Sequence, residues 1–301
     1  MQTRIQAVVA ATLLLGACGG AHDPVVPDNL VSQARRLDLA GDHDAAVTLF
    51  RQALEADPDS FDAQYGLGRA LDLAGDYEQA RVHFVRAVNL AEEGAKDQAL
   101  RMLGVSWTFS RNAEAAARAF SEVYDRRLSA GNFAGASEVA NELGRVYLEL
   151  GELDSAEHWY RTGYEAAGRE TGRRESAVDL ANLRWAHARA RIAARRGLAD
   201  EAQAQAAEVK RLVDKGTNTD QQVQYAYLVG YVELHLGNYE AALEALAEAD
   251  GEDPFIALLE AQAHEALGQG EMARAAYARV LTSTSHAVAN AIARPIARDK
   301  Q

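Results

Sequence analysis

Arg35, Arg69, Arg145 and Arg191 are the residues of this 301-residue chain whose type and recurrence could do chemistry. A guanidinium presents a rigid, planar fork of donors that pairs bidentately with a carboxylate. Tyr65, Asn141, Tyr227 and Tyr231 accompany them, and a tyrosine adds an apolar ring with a polar tip. Such a set suits recognition of an acidic, partly apolar segment of another molecule. A local alternative exists for two of the four. Arg35 and Arg69 stand three residues before Asp38 and Asp72, a spacing that pairs charges along one helix face. Arg145 and Arg191 have no acid at that spacing, so they are the stronger candidates.

Other chemistry finds little support. Asp42-His43-Asp44 is the densest group of metal-ligand types, but it fits a packing histidine beside a helix N-cap equally well, and no metal is assigned. The stretch Gly66–Leu71 (GLGRAL) imitates part of a dinucleotide fingerprint without the preceding strand that such a site requires. There is no HExxH, no GxSxG and no phosphate loop ending in Lys-Ser/Thr. No catalytic residue and no cofactor are assigned, and the chain reads as a binding protein rather than an enzyme. Its net charge of −13 opposes nonspecific contact with nucleic acid or anionic lipid.

The only cysteine, Cys18, cannot form an internal disulfide. It follows Arg4 and an almost wholly apolar run, Ile5 to Leu15. That run has the length of a signal-peptide h-region and is about half of what crosses a bilayer. Leu15-Gly16-Ala17-Cys18 resembles the lipobox of bacterial lipoproteins; an ordinary packing cysteine is the plainer alternative. The resemblance implies cleavage before Cys18, a diacylglycerol thioether on its sulfur and acylation of the new amine. Several acyl chains on one residue suffice for stable anchoring. Gly19, where an aspartate would resemble an inner-membrane retention signal, favours the outer membrane, with the protein facing the periplasm.

The rest of the chain repeats. Residues 27–60 and 61–94 align without a gap over 34 residues each, sharing LAGD, then alanine, phenylalanine and alanine at equal offsets. The register continues in units starting near 27, 61, 97, 137, 183, 223 and 254. This resembles the tetratricopeptide repeat (TPR), a helix-turn-helix unit. Position 20 is alanine in all seven units, and position 8 is always glycine or alanine, the two helices crossing closely there. Position 15 is glycine at Gly41, Gly75, Gly151, Gly197, Gly237 and Gly268, with Arg111 the exception. Position 24 is a large ring at Phe50, Phe84, Phe120, Tyr160 and Tyr277, with Ala206 and Leu246 departing. Pro58 and Pro254 fall at position 32, where a helix should stop. The wider spacing of the middle units predicts longer helices or turns.

One such unit cannot bury its own apolar face, so neighbours supply it. The expected fold is all-α: a right-handed TPR superhelical solenoid of about seven units with a C-terminal capping helix. The expected divisions are a signal peptide (1–17), a lipidated linker (18–29), the solenoid (30–287) and the capping helix and tail (288–301). In that tail Arg294, Arg298 and Lys300 should face water, and Pro295 should kink or end the helix.

Tetratricopeptide solenoids line their inner groove with positions 2, 5, 6, 9, 12 and 13 of each first helix. The four arginines and Tyr231 occupy position 9; Tyr65, Asn141 and Tyr227 occupy position 5. These eight form the expected partner-binding set. The resemblance implies a membrane-anchored scaffold or adaptor of the bacterial envelope that binds another envelope protein or peptide. A ligand-capture lipoprotein, taking a peptide or glycan beside an outer-membrane transporter, is the alternative.

Overall fold

A computed structural model describes residues 27–301. Cys18, the apolar run before it and most of the linker lie outside the described residues. Helices pair in sequence order: α1 (Pro27–Leu39) with α2 (His43–Ala56), α3 (Phe61–Ala74) with α4 (Tyr77–Leu90), and α5 (Glu93–Phe109) with α6 (Ala113–Ser129). Then come α7 (Phe133–Leu150) with α8 (Leu153–Gly168), α9 (Glu175–Arg195) with α10 (Ala199–Asp214), and α11 (Gln222–Leu236) with α12 (Tyr239–Leu246). The last pair is α13 (Pro254–Ala266) with α14 (Gly270–Thr282), followed by α15 (Val288–Asp299). Residues 27–29, read above as linker, are therefore helical. The middle units lengthen through their helices: α5 to α10 run 16 to 21 residues, against 13 or 14 in α1 to α4.

The turn inside each unit is the same device seven times. The residue after position 15 donates its N–H to the carbonyl five residues back: Asp42 to Leu37, Asp76 to Leu71, Asn112 to Trp107, and so on to Gln269 and His264. This 6→1 bond closes a helix through one left-handed residue. Gly75 holds φ +96° there, and Arg111 at φ +56° adopts the same region although it has a side chain. Asp42, Asp76 and Asn112 then accept from the backbone N–H three residues on, which caps the second helix.

The alanines at position 20 are all buried, as are the five rings at position 24. The glycine at position 8 answers to the ring more than to the alanine. A Cβ on Gly104 would sit 2.7 Å from the Phe120 ring, and one on Gly144 2.9 Å from Tyr160. The ring of the second helix thus lies flat on the bare backbone of the first. Pro254 does not stop a helix. It opens α13 as an N1 residue behind the Asp253 cap, where its missing N–H has no partner to lose.

The C-terminal segment departs furthest from expectation. α15 covers α13 and α14, as a cap should, but it also packs against α5 and α7. The solenoid closes on itself. Arg69 donates to the Thr284 carbonyl (2.7 Å), and buried His286 meets buried Asp72 (2.8 Å) between the rings of Phe84 and Phe109. Arg294 does not face water: it is 5% exposed. Its Nε donates to the Leu73 carbonyl, and its Nη1 donates to the carbonyls of Leu281 and Ser283. Those carbonyls end α3 and α14, where helices leave acceptors unsatisfied and concentrate negative dipole charge. Arg298 does reach solvent, but it also caps the Ala74 carbonyl. Pro295 is absorbed without ending α15.

Candidate functional site

Closure divides the concave face in two. In units two to six the residues late in the first helix, at positions 12 and 13, are buried or half-buried, whereas Leu39, Glu265 and Ala266 of the first and last units stay exposed. Asp38 and Asp72 are buried, and so is the Glu149 side chain. The residues early in the first helices of units three to six line a pocket of about 470 Å³. Arg101 comes from α5, Asn141, Glu142 and Arg145 from α7, Arg184, His187 and Arg191 from α9, and Gln224 and Tyr227 from α11. In repeat register these are positions 2, 5, 6 and 9. Tyr160 reaches in from α8.

Four of the eight expected groove residues meet there: Arg145, Arg191, Asn141 and Tyr227. The other four lie elsewhere. Arg35 pairs with Asp62 of the next unit (2.5 Å), and Arg69 pairs with Asp38 of the previous one (3.0 Å). Both ion pairs cross between units instead of running along one helix, because Asp38 is already held by His43 and Arg69, and Asp72 by His286 and Ser106. Tyr65 sits on Phe84 and accepts from Gln98, away from the pocket. Tyr231 is fully buried.

Arg145 and Arg191 differ in a way that their shared register hides. Arg191 is 6% exposed and committed: it donates to the hydroxyls of Tyr160 (2.8 Å) and Tyr227 (3.3 Å). Its Nη1 lies 4.0 Å from Glu149, which also holds Arg195 at 3.4 Å and accepts from the Tyr231 hydroxyl. Burial pushes the Glu149 carboxyl up, against the pull of Arg191, Arg145 and Arg195. Burial also pushes the Tyr160 phenol up, to about 12, so it stays a neutral acceptor. Arg145 has no such commitments. Its guanidinium stacks over the Phe255 ring at 4.6 Å, and its Nε is buried without a hydrogen-bond partner. His187 is held well below the usual imidazole range by burial and then by Arg191, so it lines the pocket uncharged. Its Nε2 is likewise unpartnered.

Arg101 and Arg184 escaped the sequence reading although they occupy groove positions 5 and 2. The register carries both signals: Arg101 stands at the same position 5 as Asn141, and Arg184 at position 2 of its unit. The three tryptophans stand outside the pocket. Trp107 lies under Arg81, Trp159 meets Tyr124 edge-on, and Trp185 stacks on Tyr164. His43 bonds buried Asp38 at 2.7 Å, the packing role. Among the described residues no three His, Cys, Asp or Glu side chains are grouped to hold a metal.

Stacked helix pairs with a polar concave pocket and a tightly packed convex layer define a helical-repeat scaffold for binding other proteins. Residues 39–101 and 109–170 each match the tetratricopeptide repeat family. These two segments are tetratricopeptide repeats, and the same turn recurs in all seven helix pairs. Its fold is similar to that of a tetratricopeptide repeat protein from Parabacteroides merdae, at TM-score 0.52 and 14% identity, over 84% of this chain and 91% of that one. It is also similar to the kinesin light chain-like repeats of Podosopora anserina, at TM-score 0.52 and 16% identity, over 64% and 99%. No curated protein matches the sequence.

Proposed function

We propose that this protein is a membrane-anchored scaffold or adaptor of a bacterial envelope, held by lipid on Cys18, and that it docks an acidic segment of a partner protein on the open lip of its concave face. The observation that carries the docking is Arg145, a guanidinium lining a concave pocket with no carboxylate within ion-pair distance among the described residues. Arg184, on the adjacent first helix, is in the same position. The lip crosses four successive first helices, so an extended segment laid over it touches each in turn. Arg191 supports the site from below, by fixing Tyr160 and Tyr227.

The anchoring rests on the Leu15-Gly16-Ala17-Cys18 motif, the short apolar run before it and the solitude of that cysteine. The remaining linker, Gly19 to Val26, would hold the solenoid within about 30 Å of the bilayer. Gly19 after the lipidated residue supports outer-membrane placement, and a periplasm-facing orientation is proposed with it.

In-cell crosslinking followed by affinity purification tests the docking, comparing the full-length protein with an Arg145→Glu, Arg184→Glu variant. A partner captured by the first and lost from the second is the expected result. Retention of every partner by a variant of unchanged helical content would move docking off this face. For the anchor, Cys18→Ala should abolish acylation and release the protein from the membrane fraction. Unchanged mass and fractionation would refute it.

A further inference from the structure

The charges around the pocket do not balance. Glu142 neutralises Arg101, and Asp97 and Glu138 stand against Arg127. Arg145 and Arg184 remain without an ion pair or a side-chain hydrogen bond among the described residues. Asp253, the cap of α13, and Glu149 attract Arg145 only from beyond ion-pair distance. Deeper in, Glu149 alone answers both Arg191 and Arg195. Three guanidinium charges are thus left without a carboxylate of their own. Burial opposes such charges, and at Arg145 it is offset by Tyr227, Asp253 and Glu149 instead of by a paired carboxylate. An entering anion would meet these guanidinium groups directly.

The shape and the lining narrow what that anion is. A volume of about 470 Å³ lies in the range of small-ligand sites. The wall between the arginines is polar: Asn141, Gln224, His187 and the Tyr227 hydroxyl, which accepts from Arg191 and keeps its own proton to donate. We propose that the pocket is a receptor for a compact oxyanion carrying two or three negative charges, clamped by Arg145 and Arg184. A free polycarboxylate or pyrophosphate supplies that chemistry, and so does a run of acidic side chains in a partner. The second source rests on the docking reading above, while the first does not require it.

Calorimetric titration of the full-length protein with citrate, with pyrophosphate and with an acetylated, amidated tri-glutamate peptide tests this, each against sodium chloride at matched ionic strength. At least one probe should bind and raise the melting temperature. Arg145→Met and Arg184→Gln should each weaken that binding roughly 10- to 100-fold, the worth of a charge-assisted hydrogen bond. Arg161→Gln, outside the pocket, should leave it unchanged. Without any probe, Arg145→Met should melt no lower than the parent, because it removes an unpaired charge and keeps the packing on Phe255. Binding of citrate or pyrophosphate marks a free ligand, and binding of the peptide alone marks a partner's acidic segment. The proposal is overturned if no probe binds beyond the chloride control, or if binding survives both substitutions. It is equally overturned if Arg145→Met melts lower, which would make Arg145 a structural residue. Partner capture by crosslinking is unaffected by any of these results, so the two readings fail separately.

Discussion

Arg111 holds φ +56° in a turn whose six counterparts are glycine. A side chain in the left-handed region costs about 1 kcal/mol, from the approach of its Cβ to the next carbonyl. Arg111→Gly should therefore stabilise the protein by roughly 0.5–1 kcal/mol, less what glycine gains in unfolded-state freedom, read as a higher urea midpoint at constant slope. Gly104 makes the opposite case. Replacing a helical glycine usually helps by about 1 kcal/mol, but here a Cβ meets the Phe120 ring at 2.7 Å. The ring is fully buried and has nowhere to go. Gly104→Val should cost roughly 2–3 kcal/mol through overpacking, measured in the same titration. Both positions were readable in the sequence because each recurs in every unit, so a departure stands out against six or more copies. What could not be read is why Arg145 and Arg191, at identical register, differ so completely. Register fixes the direction in which a side chain leaves its helix. It does not fix how far the superhelix later closes over it.

Helices α9 and α11 press their polar residues into the interior beside α7, and the result is sensitive to acid. His235, near the end of α11, lies 4.3 Å from the Tyr231 ring. Burial, and then the charge of Arg195, lower its pKa from 6.5 to about 4. Between those values the unfolded chain takes up a proton that the folded chain refuses. Stability accordingly falls as the pH drops from about 6.5 toward 4, and is unaffected by this residue above that window. His187 acts in the same direction. His235→Gln should flatten the decline, seen as a smaller loss of urea midpoint between pH 7 and pH 5 than in the parent. A parent midpoint that stays constant over that range would contradict the assignment. The paired helices themselves were legible from positions 8, 15, 20 and 24, since each position reports a contact made within one unit. The long middle helices were only half legible: unit spacing gave their excess length but not whether helix or turn absorbed it.

Seven units in a row would ordinarily behave as a one-dimensional array, each sensing only its neighbours. Here Arg294 joins the end of α3 to the end of α14, and His286 reaches Asp72 across 214 residues of chain. Units two to seven should then unfold together. Arg294→Ala leaves buried carbonyls without donors and should cost about 3 kcal/mol. With His286→Ala added, the variant should also split a single thermal transition into two, as the buried polar links between the two ends are lost. Circular dichroism melts and hydrogen exchange on α3 and α14 would report it, and a single transition persisting in the variant would count against the lock. None of this was visible in the sequence. A contact between residues 73 and 294 is made once, so it leaves no periodic trace, and the arginine that makes it looks like any solvated charge on an amphipathic tail.

Synthesis runs from the amino end, at about 5–20 residues per second. The first two or three units are complete long before residues 283 to 298 exist. Until those last residues appear, Phe84 and Phe109 lack the His286 ring between them and the Leu73 carbonyl lacks its Arg294 donor. Neighbour contacts can form early, but the molecule cannot finish folding before its final helix is made. The unfinished chain thus keeps a sticky inner face throughout its own production, and loss of the last twenty residues would leave it in that condition permanently.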